Sequence, residues 1–276
     1  QVGIFIPPKV GNFTPPVTQL FIHEILYYDW WTMKRRIVIP LLVILIFSLT
    51  IPVSATQYNP PWAHNYGFNY PDGMDTRSHA TYATNIQSTV GYNSYNLPNS
   101  GAYIGFNNIK DDAVFFFIGH GYTGTPPGGC IRFHNGTSSW ILAQNNGYPV
   151  PDDHYYLSTM TTELNDVLLA VLVACNSGKT SQYYGNLVDT LSQKGADNVI
   201  GFKEPIGYPP AGYWSDRFWY RCLYGQMGSH QSFKNAASGA IGDVVMEYGS
   251  FYGLQYMYSK YRLPYEYLDP ARYGVV

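Results

Sequence analysis

Val114-Phe-Phe-Phe-Ile-Gly-His120-Gly121 and Leu168-Leu-Ala-Val-Leu-Val-Ala-Cys175-Asn-Ser177-Gly178 are two short apolar runs, each stopping at a reactive side chain. Both are rich in β-branched or aromatic residues and bounded by Gly, the pattern of buried strands in a parallel sheet. Such strands deliver their last residues to one edge. In open α/β sheets that carboxyl edge is where ligands bind, so His120 and Cys175 are candidates for a single site although far apart in the chain.

Working outward, Asp72-Gly-Met-Asp75-Thr-Arg reads as a turn into a helix over Ser78 to Ser88, packed through Ala80, Ala83 and Ile86. A turn and a helix cap are favoured for Asp72 and Asp75 over a cation or substrate subsite. Gln57 to Pro71 reads as an extended arm with, at best, one irregular strand, and Gly91 to Leu97 as a strand. Beyond Gly121, the Gly- and Pro-rich Tyr122 to Gly129 is a loop at the site. Cys130 to Phe133 and Ser139 to Ala143 flank Asn135-Gly136, a hairpin signal. Asn135-Gly-Thr137 is also a glycosylation sequon if the chain is exported.

Pro151-Asp-Asp-His154, beside His134, lacks a second ligand pair at metal-site spacing. A loop with a capping Asp is preferred, and no metal or other cofactor is expected. Tyr183 to Lys194, Ala211 to Tyr224 (ended at Gly225) and Ser232 to Tyr248 have helical spacing, and Asn198 to Phe202 is a further buried strand. This succession indicates a mainly parallel sheet covered on both faces. The Tyr-rich tail, 251–276, is expected to pack on the surface or form an edge strand.

Met33-Lys-Arg-Arg36, the apolar run Ile37 to Ile51 and Val53-Ser-Ala55 have the charge, hydrophobicity and cleavage pattern of a signal peptide over 33–55. Residues 1–32 then read as upstream translated sequence. The rival, an uncleaved anchor, needs roughly 20 apolar residues, more than this run holds. Export leaves an odd cysteine count, Cys130, Cys175 and Cys222, with at least one thiol free or paired between chains. Charged residues make up only 12% of the chain, hydrophobic residues 46%, and the formal net charge is −2. Without basic runs, nucleic acid is excluded as a partner. A membrane is met only through the signal segment, if it stays uncleaved.

A thiolate is the effective nucleophile, and a cysteine needs a base to ionise near neutral pH. His120 supplies that base for Cys175 and later protonates a leaving amine. Gly121 has no side chain, so a substrate carbonyl can approach its backbone N–H, which forms an oxyanion hole with the N–H of Cys175.

The sequence of strand, His-Gly, strand and Ala174-Cys175-Asn-Ser-Gly178 resembles the caspase-like cysteine peptidases of clan CD, nearest to the CHAT group. Gly195-Ala-Asp-Asn-Val-Ile-Gly-Phe202 and the alanine-rich stretch Asn235 to Ala240 extend the resemblance. It implies a three-layer α/β/α caspase-like sandwich over 78–250 with a mainly parallel sheet, preceded by an arm over 56–77. It implies a Cys175–His120 dyad with oxyanion donors at Gly121 and Cys175. No clear counterpart of the family's first strand is visible. The P1 pocket in such enzymes draws on loops that fall here near Asp72, Asp75 and Arg77 and near Lys203 and Glu204. Asp75 and Glu204 are thus candidates for an acidic pocket accepting Arg or Lys, against the alternative of solvated loop charges.

The expected function is a secreted cysteine endopeptidase acting on peptide or protein substrates through a thioester acyl-enzyme. The alternative is an inactive caspase-like envelope or adhesion protein that binds glycans or proteins through surface Tyr, Asn and Trp. A third reading, nucleotide binding at Ser177-Gly-Lys-Thr180, is disfavoured because the first glycine of the phosphate loop would fall at Val173, inside the strand.

Overall fold

In the computed structural model of the protein, the residues described are 61–125, 127–148, 153–224, 230–262 and 266–270. The upstream segment 1–32, the signal segment 33–55, the start of the arm, Pro151-Asp152, Gly225 and the last residues of the tail lie outside them. The elements are β1 (Trp62–Gly67), α1 (Arg77–Val90), β2 (Asn93–Asn96), α2 (Ala102–Asn108), β3 (Asp112–Ile118), β4 (His120–Gly121), β5 (Cys130–His134), β6 (Ser138–Leu142), β7 (Asp153–Tyr156), β8 (Leu169–Val173), α3 (Leu187–Gln193), β9 (Asn198–Phe202), α4 (Pro210–Tyr224), α5 (Phe233–Tyr248) and β10 (Met257–Tyr261).

The two apolar runs become β3 and β8, parallel neighbours at the centre of a sheet ordered β10-β9-β8-β3-β1-β2. Every residue of both strands is buried. Their side chains alternate between faces, as the two-residue strand period requires. Val114, Phe116, Ile118, Val171 and Val173 pack with residues of α1, α4 and α5; Phe115, Phe117, Ala170 and Leu172 pack with residues of α2, α3, β5 and β6. Burying each of the three consecutive phenylalanines contributes about 1.5–3 kcal/mol. The sheet is parallel from β2 to β9, and only β10 runs antiparallel, at the edge. Helices cover both faces, the three-layer α/β arrangement expected from the sequence.

Three expectations are corrected. Trp62–Gly67, read as an arm or an irregular strand, is a central strand paired on both sides, with one register shift at its start. Its polar His64 and Asn65 disguised it: both are buried, and partners from elsewhere satisfy them. Asn65 and Gln87 exchange two side-chain hydrogen bonds of 2.7 and 2.9 Å. Second, the helix read from Tyr183 begins only at Leu187, where the Asn186 side chain accepts from the N–H groups of Val188 and Asp189. Gly185, at φ +71°, turns the chain just before it. Third, Asp153–Tyr156 is not a capped loop but a strand parallel to β6. It completes a second sheet, β4-β5-β6-β7, of which only the β5–β6 hairpin was legible. The tail, expected on the surface or as an edge strand, supplies the edge strand β10, and its Leu254 and Leu268 are core residues.

Candidate active site

Backbone register assembles the site. Ile118 of β3 pairs with Val173 of β8, so His120 and Cys175 each lie two residues beyond the same rung. The Gly119 N–H donates to the Val173 carbonyl at 3.1 Å, carrying the pairing one step past the strands. Both side chains line one cavity of about 190 Å³, together with Met74, Thr76, Ile118, Gly119, Val173, Ile206, Tyr208 and Ala211.

The glycines on either side of His120 are there for space. A β-carbon on Gly119 would lie 2.3 Å from the Tyr70 hydroxyl, and one on Gly121 would lie 1.8 Å from the Cys175 carbonyl oxygen. The Gly-His-Gly order therefore lets Tyr70 pack on one side and the Cys175 peptide on the other. Tyr70 holds the histidine in two ways. Its hydroxyl donates to the Arg132 carbonyl at 2.6 Å and accepts the His120 N–H at 3.2 Å. Its ring lies 4.3 Å from the imidazole, centroid to centroid. Burial drives the Tyr70 pKa well above the usual tyrosine range, so it remains a neutral donor.

His120 Nε2 lies 2.7 Å from a carboxylate oxygen of Asp72. With that proton donated to Asp72, the lone pair is on Nδ1, which has no partner among the described residues. Burial holds the imidazole below its ordinary pKa, and Asp72 opposes that shift. Asp72 itself stays below the ordinary carboxylate value: partial burial works against this, and the Met74 N–H and His120 outweigh it. Cys175 has its thiol pushed up by burial, partly offset by the N–H groups of Ile206 and of Cys175 itself. The Ile206 N–H lies 3.4 Å from Sγ. Both shifts favour the neutral thiol and the neutral imidazole near neutral pH. The Cys175 N–H donates to no carbonyl among the described residues.

Immediately after the cysteine the chain turns away through Asn176, at φ +58°. Ser177 Oγ lies 2.9 Å from the carbonyls of Leu172 and Ala174 and accepts from the Phe202 N–H, while the Gly178 N–H bonds the Phe202 carbonyl. These groups close the turn, so Ser177 to Thr180 presents no open phosphate nest. Asp75 and Glu204 do not line the cavity. Asp75 accepts from Arg77 at 2.6 and 2.9 Å, and Glu204 pairs with Lys179 at 3.3 Å. Asn135 is exposed at the tip of the β5–β6 hairpin, its side chain 3.0 Å from the Thr137 hydroxyl. Cys130 and Cys222 are buried free thiols in separate clusters, Cys130 with Leu142 and Tyr184, Cys222 among the residues of α4, α5 and the central sheet. Among the described residues, no three His, Cys, Asp or Glu side chains are grouped to hold a metal.

Sequence reasoning missed the roles of Asp72 and Tyr70. Asp72 is 48 positions from His120, and a Pro-Asp-Gly turn reads locally as nothing more than a turn.

No protein-family profile and no curated protein sequence matches the chain. Solved structures do resemble it. The Arg-specific cysteine proteinase gingipain R superposes with a TM-score of 0.54 at 11% identity, over 75% of this chain and 48% of that one. The complex of Porphyromonas gingivalis RgpB pro- and mature domains gives 0.51 at 11% identity, over 76% and 49%. The chain thus spans about half the length of the gingipain chains it matches. What is shared is the fold: a mainly parallel sheet between helices, the three-layer α/β arrangement expected from the sequence.

Proposed function

We propose that the chain is an exported cysteine endopeptidase that hydrolyses peptide bonds through Cys175 and His120. The observation that carries this reading is their position two residues beyond one rung of adjacent parallel strands, on the wall of one cavity. His120 Nδ1 takes the Sγ proton as sulfur attacks the substrate carbonyl carbon, and the Cys175 and Gly121 N–H groups receive the oxyanion. As the intermediate collapses, the C–N bond breaks and His120 gives its proton to the leaving amine, leaving a thioester. Water then attacks with its proton passing to His120, the C–S bond breaks, and the proton returns to sulfur. Asp72 keeps Nε2 protonated throughout, so Nδ1 does the transfer.

Export follows from the signal pattern over 33–55 and predicts a secreted form beginning at Thr56, readable by amino-terminal sequencing. Within the clan CD fold, the sequence pattern favours the CHAT group. Iodoacetamide should label Cys175 ahead of Cys130 and Cys222, which are 2% and 0% exposed. Cys175→Ala should abolish peptide cleavage with circular dichroism unchanged; full activity in that variant would refute the reading. The exposed tyrosines, Tyr103, Tyr224 and Tyr256 among them, support the alternative of a noncatalytic binding protein. That alternative predicts partner binding indifferent to Cys175→Ala.

A further inference from the structure

The cavity beside Cys175 is built from apolar surface. Apart from the reacting pair, the side chains facing it are Met74, Ile118, Val173, Ile206 and Ala211, with the hydroxyl residues Thr76 and Tyr208. Neither hydroxyl is free. Thr76 Oγ1 donates to the Ile118 carbonyl at 2.8 Å and accepts the Phe68 N–H at 2.9 Å. Tyr208 donates to the Asp75 carbonyl at 2.6 Å. The carboxylates around the cavity are committed too: Asp72 to His120 at 2.7 Å, Asp75 to Arg77, Asp216 to His79 at 2.9 Å, and Glu204 to Lys179.

A guanidinium, ammonium or carboxylate entering this space would lose its water and meet no counter-charge, a large cost. An apolar side chain would meet what it prefers. On size, an apolar cavity of about 150 Å³ accommodates benzene, so about 190 Å³ accepts a leucine side chain or a phenyl ring. We propose that this cavity is the P1 pocket and that it selects an aliphatic or phenyl side chain, so the substrate class is peptides cut after residues such as Leu, Met or Phe. This rests on the peptidase reading and departs from the basic P1 residue that Asp75 and Glu204 suggested from sequence. It also separates the chain from the Arg-specific proteinase whose fold it shares.

The test uses peptidyl acyloxymethyl ketones with identical P4 to P2 residues and Leu, Phe, Arg or Asp at P1. Sulfur displaces the carboxylate leaving group to form a thioether, so intact mass and peptide mapping report the rate at Cys175 directly. The Leu and Phe probes should react about a hundredfold faster than the Arg and Asp probes. Met74→Ala, which widens a half-buried wall of the pocket, should raise the Phe-to-Leu ratio several-fold. An Arg or Asp probe that reacts as fast as Leu overturns the apolar pocket and leaves the peptidase reading intact. Leu preference without cleavage of any matching peptide supports the pocket and refutes the peptidase reading. Failure of every peptidyl probe to outpace a nonpeptidyl ketone overturns both.

Discussion

One histidine–aspartate pair sits just past the carboxyl end of β3 and another inside the central sheet, and they behave in opposite ways. His120 meets Asp72 at the carboxyl edge, 2.7 Å apart, with the Asp72 side chain 57% exposed. His64 of β1 meets Asp112 of β3 at 2.5 Å, and Asp112 is fully buried. Partial burial works against ionisation of Asp72, and the Met74 N–H and His120 outweigh it, keeping the carboxyl below the ordinary carboxylate range. Burial instead pushes Asp112 up to about 7, with His64 only partly offsetting it, and its second oxygen has no partner among the described residues. The same two residue types thus give a partly exposed pair at a solvent-facing strand end and a structural tie inside the sheet. Desolvation decides which.

The comparison can be broken or sharpened experimentally. The largest effect should come from His120→Ala, which removes the base: about a thousandfold loss in kcat/KM with an unchanged unfolding midpoint. Asp112→Ala should do the reverse. It leaves His64 buried without its carboxylate, costing about 3 kcal/mol in denaturant unfolding, while activity per folded molecule is kept. The pH dependence separates the pairs as well. A carboxyl raised on folding contributes stability below its unfolded value, near about pH 4, and loses it as pH climbs through its folded value. Asp112 should therefore lower stability between about pH 4 and 7, and Asp112→Asn should flatten that slope. Asp72, lowered on folding, contributes above the ordinary carboxylate pKa and loses its contribution as pH falls below it.

Asp72→Asn should cost about tenfold in kcat/KM, as expected for loss of a partly exposed positioning group. Because Asp72 raises the pKa of His120, the same variant should move the acid limb of the activity profile to lower pH, a shift that a purely structural role would not produce. The smallest effect should be that of Tyr70→Phe. It removes one hydroxyl that bridges Arg132 and His120, worth about 1 kcal/mol in stability, with a few-fold loss of activity as the histidine loosens.

What was legible follows from how each element is stabilised. Strand β3 beyond Asp112 and the whole of β8 are apolar because both faces are covered, and helices α1, α4 and α5 bury one stripe of small or aromatic residues. Such elements announce themselves locally. Strand β1 did not, because its buried His64 and Asn65 are tolerated only through Asp112, Gln87 and Ser94, supplied by other segments. The second sheet was half hidden for a similar reason: β7 is a short, partly exposed strand whose pairing to β6 depends on a crossover rather than a turn. At the site, His120 and Cys175 were legible because each ends an apolar run. Asp72 and Tyr70 come from the loop after β1, and nothing in their spacing points to the histidine they hold.

By itself the sequence determined that β3 and β8 lie inside the sheet and which two side chains stand at their ends, since burial on both faces and a glycine-bounded stop are written in local composition. Only the tertiary structure decided that those ends lie past one rung, that Asp72 rather than a buried carboxylate serves His120, and that the adjoining cavity is apolar with its nearby charges already paired. Register, desolvation and charge pairing arise between segments distant in the chain. No local pattern of residues encodes them.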